Sequence, residues 1–324
     1  MNRKKVVILN LGYADFETEK RMLADIGVDV HIVENDCSTE DQVIAAAHEA
    51  DGMLIREAPV TRKVIAALSS CRIISRYGVG VDHIDLEAAA ECKIYVTNVP
   101  DYCSEEVSDH AIALILACLR KLTLRDRLIH QGVFETDIND SIYRSTGKTL
   151  GLVGYGKIAQ AVHRKWNGFL PREVLVFDPY IKNELISRNN SRPVDLNVLL
   201  AESDIISLHA PLVPETKHII SKETLELLKT HAIIVNTSRG GLIDEPALVE
   251  ALKSGKLMAA GLDVFENEPI DETHPLCSLE NAVLSGHVAW YSRDSISTLQ
   301  KEATTEIIRV FAGELPKNWV NRWN

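Results

Sequence analysis

No other stretch limits the possible folds of this chain as tightly as Thr149–Asp178, TLGLVGYGKIAQAVHRKWNGFLPREVLVFD. It reads as strand, glycine turn, helix, strand and acid. Leu150–Val153 is a short apolar run and Gly154-Tyr155-Gly156 is the turn. From Lys157 a helical pattern carries Ile158, Val162, Trp166 and Phe169, and Val174–Phe177 is a second apolar strand closed by Asp178. A dinucleotide pyrophosphate needs backbone to approach closely at a helix N-terminus, where free N–H groups and the helix dipole favour negative charge. Gly154 and Gly156 permit that turn and approach, and Ala159 at the third position still lets helix and strand pack closely. Asp178, 24 residues after Gly154, stands where an acid accepts from a ribose hydroxyl. A lone G-x-G-x-x-A is a weak signal. Strand, helix, strand and acid in this order predict a nicotinamide-type dinucleotide site.

The motif begins near the middle of 324 residues, so the first ~100 residues form something else, and length alone suggests about two domains. Apolar runs at Val6–Leu9, Val28–Val33, Met53–Ile55, Arg72–Ser75 and Ile94–Val96 alternate with helical stretches at Thr18–Asp25, Thr39–Ala47, Thr61–Leu68 and Leu86–Ala90. After the motif come Ile205–His209, Ile233–Asn236, Ala259–Asp263 and Ala282–Ser285. That alternation predicts an α/β fold with parallel sheets wrapped in helices. A final helix, Asp294–Ala312, is expected to return to the first domain.

Composition narrows the function. A hydrophobic content of 46% supplies two good cores. The net charge of −11, with no basic block, argues against nucleic-acid or anionic-membrane partners. The longest apolar candidate, Ala111–Leu119, falls far short of the ~20 residues of a membrane span. The N-terminus runs straight into a strand, unlike a signal peptide. The six cysteines share no CxxC spacing and read as reduced thiols of a cytoplasmic protein, with no metal site.

Three segments carry the chemistry: NTSRGGLIDEPAL (236–248), GLDVFENEP (261–269) and SGHVAWYS (285–292). Each follows an apolar strand and so lies at a carboxyl end of the sheet, where open α/β folds bind ligands. They offer Arg239, Glu268 and His287. Hydride transfer to a 2-keto acid needs a cation to hold the carboxylate and polarise the carbonyl, a proton donor, and a carboxylate that favours the protonated donor. Arginine, histidine and glutamate supply that set. Taken singly, each has a plainer reading: Arg239 as a helix cap or phosphate ligand, Glu268 as a surface acid, His287 as a buried histidine satisfied by backbone. His209 is expected beneath the cofactor or as a structural residue. His83, His110, His163, His218, His231 and His274 read as ordinary.

RYGVGVDHID (76–85), NVPDYCSEEVSDHAIALIL (98–116), GLVGYGKIA, SLHAPLVPETKHII, VNTSRGGLIDEPAL, AAGLDVFENEP and GHVAWYS together resemble the D-isomer-specific 2-hydroxyacid dehydrogenases over essentially the whole chain. The resemblance implies a Rossmann NAD-binding domain (100–290) inserted into a flavodoxin-like substrate domain (1–99 plus 291–324). It implies that Arg239, Glu268 and His287 are catalytic. NAD would meet Val107, Gly154, Tyr155, Gly156, Lys157, Ile158, Asp178, His209, Ala210, Pro211, Thr216, Thr237, Ser238, Asp263 and Trp290. The substrate carboxylate would bind the Val79 and Gly80 amides with Arg239. It further implies a homodimer through the NAD-binding domains, the segment Val99–Lys121 packing across a two-fold axis; the alternative is that this helix covers only the sheet of its own subunit.

Two departures stand out. Gly286 replaces the proline that usually precedes the catalytic histidine, and Trp290 replaces a common glycine. Trp290 is read either as a wall of the substrate pocket or as a residue packed under the final helix. His-x-Ala-Trp-Tyr-Ser with Asp178-Pro179-Tyr180 resembles the subgroup of phosphoglycerate and C-terminal-binding-protein-like dehydrogenases, some of which act as NAD-responsive scaffolds. A metabolic dehydrogenase is the preferred reading, because no basic stretch of the scaffold kind is present, and a scaffold is the alternative. Asp178, with no basic residue immediately after it, favours NAD over NADP. Arg56 reads equally as a contact for a second anionic group of the substrate or as a solvated surface residue.

Overall fold

Every strand expected from the apolar runs forms, and all of the named strands pair in parallel. The computed structural model describes residues 3–9, 12–34, 37–134, 142–188 and 190–323. The chain divides into two units, 1–102 with 292–324, and 103–291, so the second unit is a continuous piece lying between the two parts of the first.

In the first unit, β1 (Lys5–Ile8), β2 (Asp29–Ile32), β3 (Gly52–Ile55), β4 (Ile73–Arg76) and β5 (Tyr95–Thr97) form a sheet of order β2-β1-β3-β4-β5. This is the flavodoxin-like doubly wound order. Helices α1 (Glu17–Ala24), α2 (Glu40–Ala47), α3 (Arg62–Ala67) and α4 (Leu86–Glu91) connect the strands. The central β3 is buried at every residue, as a parallel strand covered on both faces must be.

The second unit opens with α5 (Ser104–Arg120) and α6 (Leu122–His130). Its sheet comprises β6 (Thr149–Val153), β7 (Glu173–Phe177), β8 (Arg192–Pro193), β9 (Ile205–Leu208), β10 (Ile233–Asn236), β11 (Ala259–Leu262) and β12 (Ala282–Leu284). Their order, β12-β11-β10-β9-β6-β7-β8, is that of a Rossmann sheet with one added strand. Helices α7 (Lys157–Trp166), α8 (Asn183–Ser187), α9 (Leu196–Glu202), α10 (Lys222–Glu226) and α11 (Glu245–Lys253) join them, and the final helix α12 (Arg293–Phe311) belongs to the first unit. There it packs on β3, β4 and α1.

The helix expected from Val99 begins instead at Ser104. Pro100 offers no N–H and pushes its predecessor out of the helical region, and positions 100–103 form a turn. Along α5, Val107, Ala111, Leu114, Ile115 and Cys118 are buried at helical spacing against the sheet and α7 of the same unit. By contrast α6 buries none of its residues, and Leu122, Ile129, Val133 and Phe134 are exposed in and just after it. All six cysteines are free thiols. No helix among the described residues is long and apolar enough to cross a membrane.

A buried acid ties the two sequence segments of the first unit together. Glu19 on α1 is 0% exposed. It accepts from the Tyr77 hydroxyl at 2.8 Å and from Gln300 Nε2 on α12 at 3.2 Å. Burial pushes the Glu19 carboxyl above its ordinary range, against the opposing pull of these hydrogen bonds. A raised carboxyl contributes most to stability below its unfolded pKa, and that contribution is lost as pH rises through the folded value. Tyr77→Phe removes a donor from a buried anion. It is expected to cost about 1.5–3 kcal/mol at neutral pH, with the cost shrinking on acidification as Glu19 protonates. Urea unfolding at both pH values checks this; a cost independent of pH would refute it.

Candidate active site

At the end of β6 the chain turns at Gly154, whose φ of +86° is open to glycine at little cost. A Cβ there would lie 2.8 Å from the His209 carbonyl carbon and 2.9 Å from Ala210 N. This is the switch point of the sheet, where β6 and β9 send their connections to opposite sides. Gly156 caps α7 with no side-chain acceptor for the first amides, and space is open above it. Tyr155 faces inward: its ring is 2% exposed and its hydroxyl bonds His163 Nδ1 at 2.8 Å. The Asp178 carboxylate accepts from the backbone N–H groups of Tyr155 (2.8 Å), Tyr180 (2.9 Å) and Ile181 (3.1 Å). It lines a cavity of about 580 Å³ with Phe177, Pro179, Lys182 and Asn183.

Among the buried polar atoms without a hydrogen-bond partner in the described residues, two lie on this edge: Thr237 Oγ1 after β10 and His209 Nδ1 after β9. Burial pushes His209 down to about 4, so its ring is neutral near pH 7. Uncapped helix amides, a backbone turn that only glycine fits, an acid beside a cavity and unspent polar atoms along one sheet edge match the needs of NAD.

The acid–base candidates lie on the same edge. His287 Nδ1 is 2.7 Å from Glu268 Oε2. Glu268 Oε1 also accepts from Phe265 N–H at 2.9 Å. Burial pushes the Glu268 carboxyl up, but the hydrogen bonds from His287 and Phe265 and the charges of His287 and Arg239 outweigh it and hold the carboxyl below its ordinary value. The Arg239 loop meets the Glu268 loop backbone to backbone: a Cβ on Gly240 would sit 1.8 Å from the Phe265 carbonyl carbon. Asn236 shapes the turn, donating from Nδ2 to Arg239 O at 2.9 Å and accepting from Ser238 N at 3.0 Å. Ser238 Oγ donates to Leu208 O at 2.9 Å, and Arg239 Nη1 to Ser238 O at 2.8 Å.

Two further pairs brace the Glu268 loop. His218 Nε2 meets Glu266 Oε1 and His274 Nε2 meets Glu245 Oε1, each at 2.8 Å. Glu245 also accepts from Glu266 N–H at 3.2 Å. His218 and His274, read as ordinary from sequence, are thus fastened to the segment that carries Glu268.

The remaining expected residues fall as follows. Val107 and Ala210 are buried, and the Thr216 hydroxyl is spent on Pro211 O at 2.6 Å. Asp263 is 1% exposed and is gripped by the backbone of the His287 loop. The Trp290 indole N–H donates to His287 O at 2.9 Å. In the first unit, Val79 follows β4 with its carbonyl held by Asn98 Nδ2 at 2.7 Å. There the Arg56 side chain is about a third exposed, with Nε 3.9 Å from Glu57. His110, read as ordinary from sequence, and Ser285, which opens the SGHVAWYS segment, meet at 2.8 Å beside Asp263. The one signal for His110 was a polar residue on the apolar stripe that Val107, Ala111 and Leu114 define.

Residues 112–289 match the NAD-binding domain of the D-isomer specific 2-hydroxyacid dehydrogenases. A glyoxylate reductase of Korarchaeum cryptofilum is 40% identical over 267 residues, 82% of this chain and 80% of that protein. A D-3-phosphoglycerate dehydrogenase of Methanocaldococcus jannaschii is 39% identical over 88% of this chain, which spans only about half (54%) of that longer protein. A crystal structure of D-lactate dehydrogenase from Aquifex aeolicus complexed with NAD and lactic acid superposes with a TM-score of 0.88 at 26% identity, covering 98% of this chain and 100% of that one. The chain therefore belongs to the D-isomer-specific 2-hydroxyacid dehydrogenases, NAD-dependent enzymes that act on CH–OH donors.

Proposed function

We propose that the chain interconverts a small 2-keto acid and its D-2-hydroxy acid, with Arg239, Glu268 and His287 as the catalytic residues. The 2.7 Å His287–Glu268 pair, with the Arg239 charge acting on the same carboxylate, is the observation that carries this reading. NAD supplies or accepts the hydride when bound; Gly154, Gly156, the first amides of α7, Asp178, Thr237 and His209 are the residues that would hold it. Arg239 binds the substrate carboxylate and draws electron density toward the carbonyl oxygen. His287, fixed by Glu268 through Nδ1, presents its other ring nitrogen to give that oxygen its proton and to take it back in the reverse direction. Val79 and Gly80 are proposed contacts for the substrate carboxylate, and Trp290 a wall that favours small or apolar substituents.

Similarity to a glyoxylate reductase and a phosphoglycerate dehydrogenase supports a short, polar keto acid. Arg56 is the proposed contact for a second anionic group, the alternative being a solvated surface arginine. His287→Ala is expected to lose kcat by about 10²–10⁴-fold with NADH binding retained, whereas Glu268→Gln, which keeps an acceptor for Phe265 N–H, should lose less. A panel of 2-keto acids with NADH reads the reaction and separates it from the scaffold alternative. In the same panel Trp290→Gly should reorder the substrates, and Arg56→Ala should penalise phosphohydroxypyruvate over hydroxypyruvate. Full turnover by His287→Ala would exclude the assignment.

Asp178 also sets the cofactor. The Asp178 carboxylate, held by three backbone amides, stands where NADP would bring its extra phosphate, and like charges repel. NADH should give a kcat/KM at least about tenfold above NADPH, a difference of about 1.4 kcal/mol. Equal values for the two cofactors count against this role of Asp178.

A homodimer through the second unit is also part of the proposal. Because α5 spends its apolar stripe on its own sheet, the apolar surface for a partner is offered by Leu122, Ile129 and Phe134. Light scattering should give twice the chain mass, and Ile129→Asp with Phe134→Asp should lower it. A monomer mass for the unmodified protein at micromolar concentration refutes the dimer. A cytoplasmic location fits the free thiols.

A further inference from the structure

The loop that carries His287 is held in an unusual shape. His287 itself has φ +55°, a left-handed conformation that is unfavourable for a non-glycine residue. One residue enforces it. Asp263 takes His287 N–H on its backbone carbonyl at 2.7 Å, Val288 N–H on Oδ1 at 3.0 Å and Ala289 N–H on Oδ2 at 2.8 Å. Three consecutive amides thus converge on a single buried aspartate.

A hydroxyl and an imidazole complete the arrangement. Ser285 Oγ lies 2.5 Å from Asp263 Oδ1 and 2.8 Å from His110 Nε2, and Nε2 is 3.5 Å from the same Oδ1. A serine hydroxyl carries one proton. Were that proton directed at His110, two oxygen lone pairs would face each other at 2.5 Å. The proton therefore lies toward Asp263, and His110 must carry hydrogen on Nε2 and donate to Ser285. The chain of donors runs His110 Nε2–H to Ser285 Oγ–H to Asp263, each bond polarising the next. His110 stands on the same face of α5 as the buried Val107, Ala111 and Leu114 and is itself about a quarter exposed.

We propose that His110 is a positioning residue for the acid–base histidine. By donating to Ser285 it fixes the hydroxyl proton on Asp263, and through Asp263 it holds the 285–289 backbone in the conformation that presents His287. This rests on the reading of His287 as the proton donor, and the test separates the two.

Keto-acid kinetics, NADH titration by fluorescence and thermal melts are compared for His110→Phe, His110→Gln and Ser285→Ala, alone and in the His287→Ala background. The first change removes the donor, the second restores an N–H at a similar reach, and the third removes the middle of the chain while sparing His110. His110→Phe and Ser285→Ala should each lower kcat about ten- to a hundredfold, with the NADH dissociation constant close to the parent's and a single cooperative melt showing that the protein still folds. His110→Gln should recover most of that loss. In the His287→Ala background the same changes should have no further effect, since they act through the missing imidazole. The proposal is overturned if His110→Phe and Ser285→Ala keep the parent kcat, if His110→Gln is as impaired as His110→Phe, or if the losses repeat undiminished without His287. A parent-like kcat in His287→Ala alone would overturn the acid–base assignment itself, whereas loss there beside a silent His110→Phe overturns only the positioning role.

Discussion

Parallel pairing puts every carboxyl end of a sheet on one edge, and the chemistry of the second unit depends on that constraint. Turns 154–156, 209–216, 237–242, 263–268 and 285–290 come from five different strands, yet all emerge on the same side. Arg239 and Glu268 need only the close approach allowed at Gly240 to act on one another. An antiparallel sheet would send alternate loops to the far edge and scatter the set. The same arrangement places the start of α7, which no side chain caps, at the turn where β6 and β9 part.

Charge within this edge is settled locally, not by the overall balance of −11. Two acids a few residues apart in sequence do opposite work. Asp263 is buried and surrounded by backbone donors and a hydroxyl, so its charge goes into holding a loop. Glu268, about a third exposed and held on one oxygen by Phe265 N–H, keeps its other oxygen for His287. Hydrogen bonds to ionised groups are roughly twice as strong as neutral ones, which is why loops can be fixed with so few contacts.

Much of this was legible in the chain itself. The glycine turn and its acid, the parallel strands and the Arg239, Glu268 and His287 set are carried by local runs and spacings that survive folding unchanged. What was not legible depends on partners far apart. His110 and Ser285 are 175 residues from one another, so nothing near either one announces the pair. His218 and His274 looked ordinary for the same reason. The two-residue β8 is too short to show a period, and α6 kept its apolar residues on the outside, against the rule that helices bury them. Asp178 was expected to look outward to a ribose, and three backbone amides also claim it.

The first unit is assembled from chain segments separated by the entire second unit. Gln300 reaches back 281 residues to Glu19, and Ser75 on β4 donates to Ala303 on α12 at 2.9 Å. During synthesis the early sheet therefore emerges with β3 and β4 uncovered on the α12 side and a buried-to-be acid still in water, and it must wait for the whole of 103–291 to be made before α12 can close it. The nascent chain carries an incomplete first unit and a second unit free to fold continuously, which makes the order of maturation the reverse of the order of sequence.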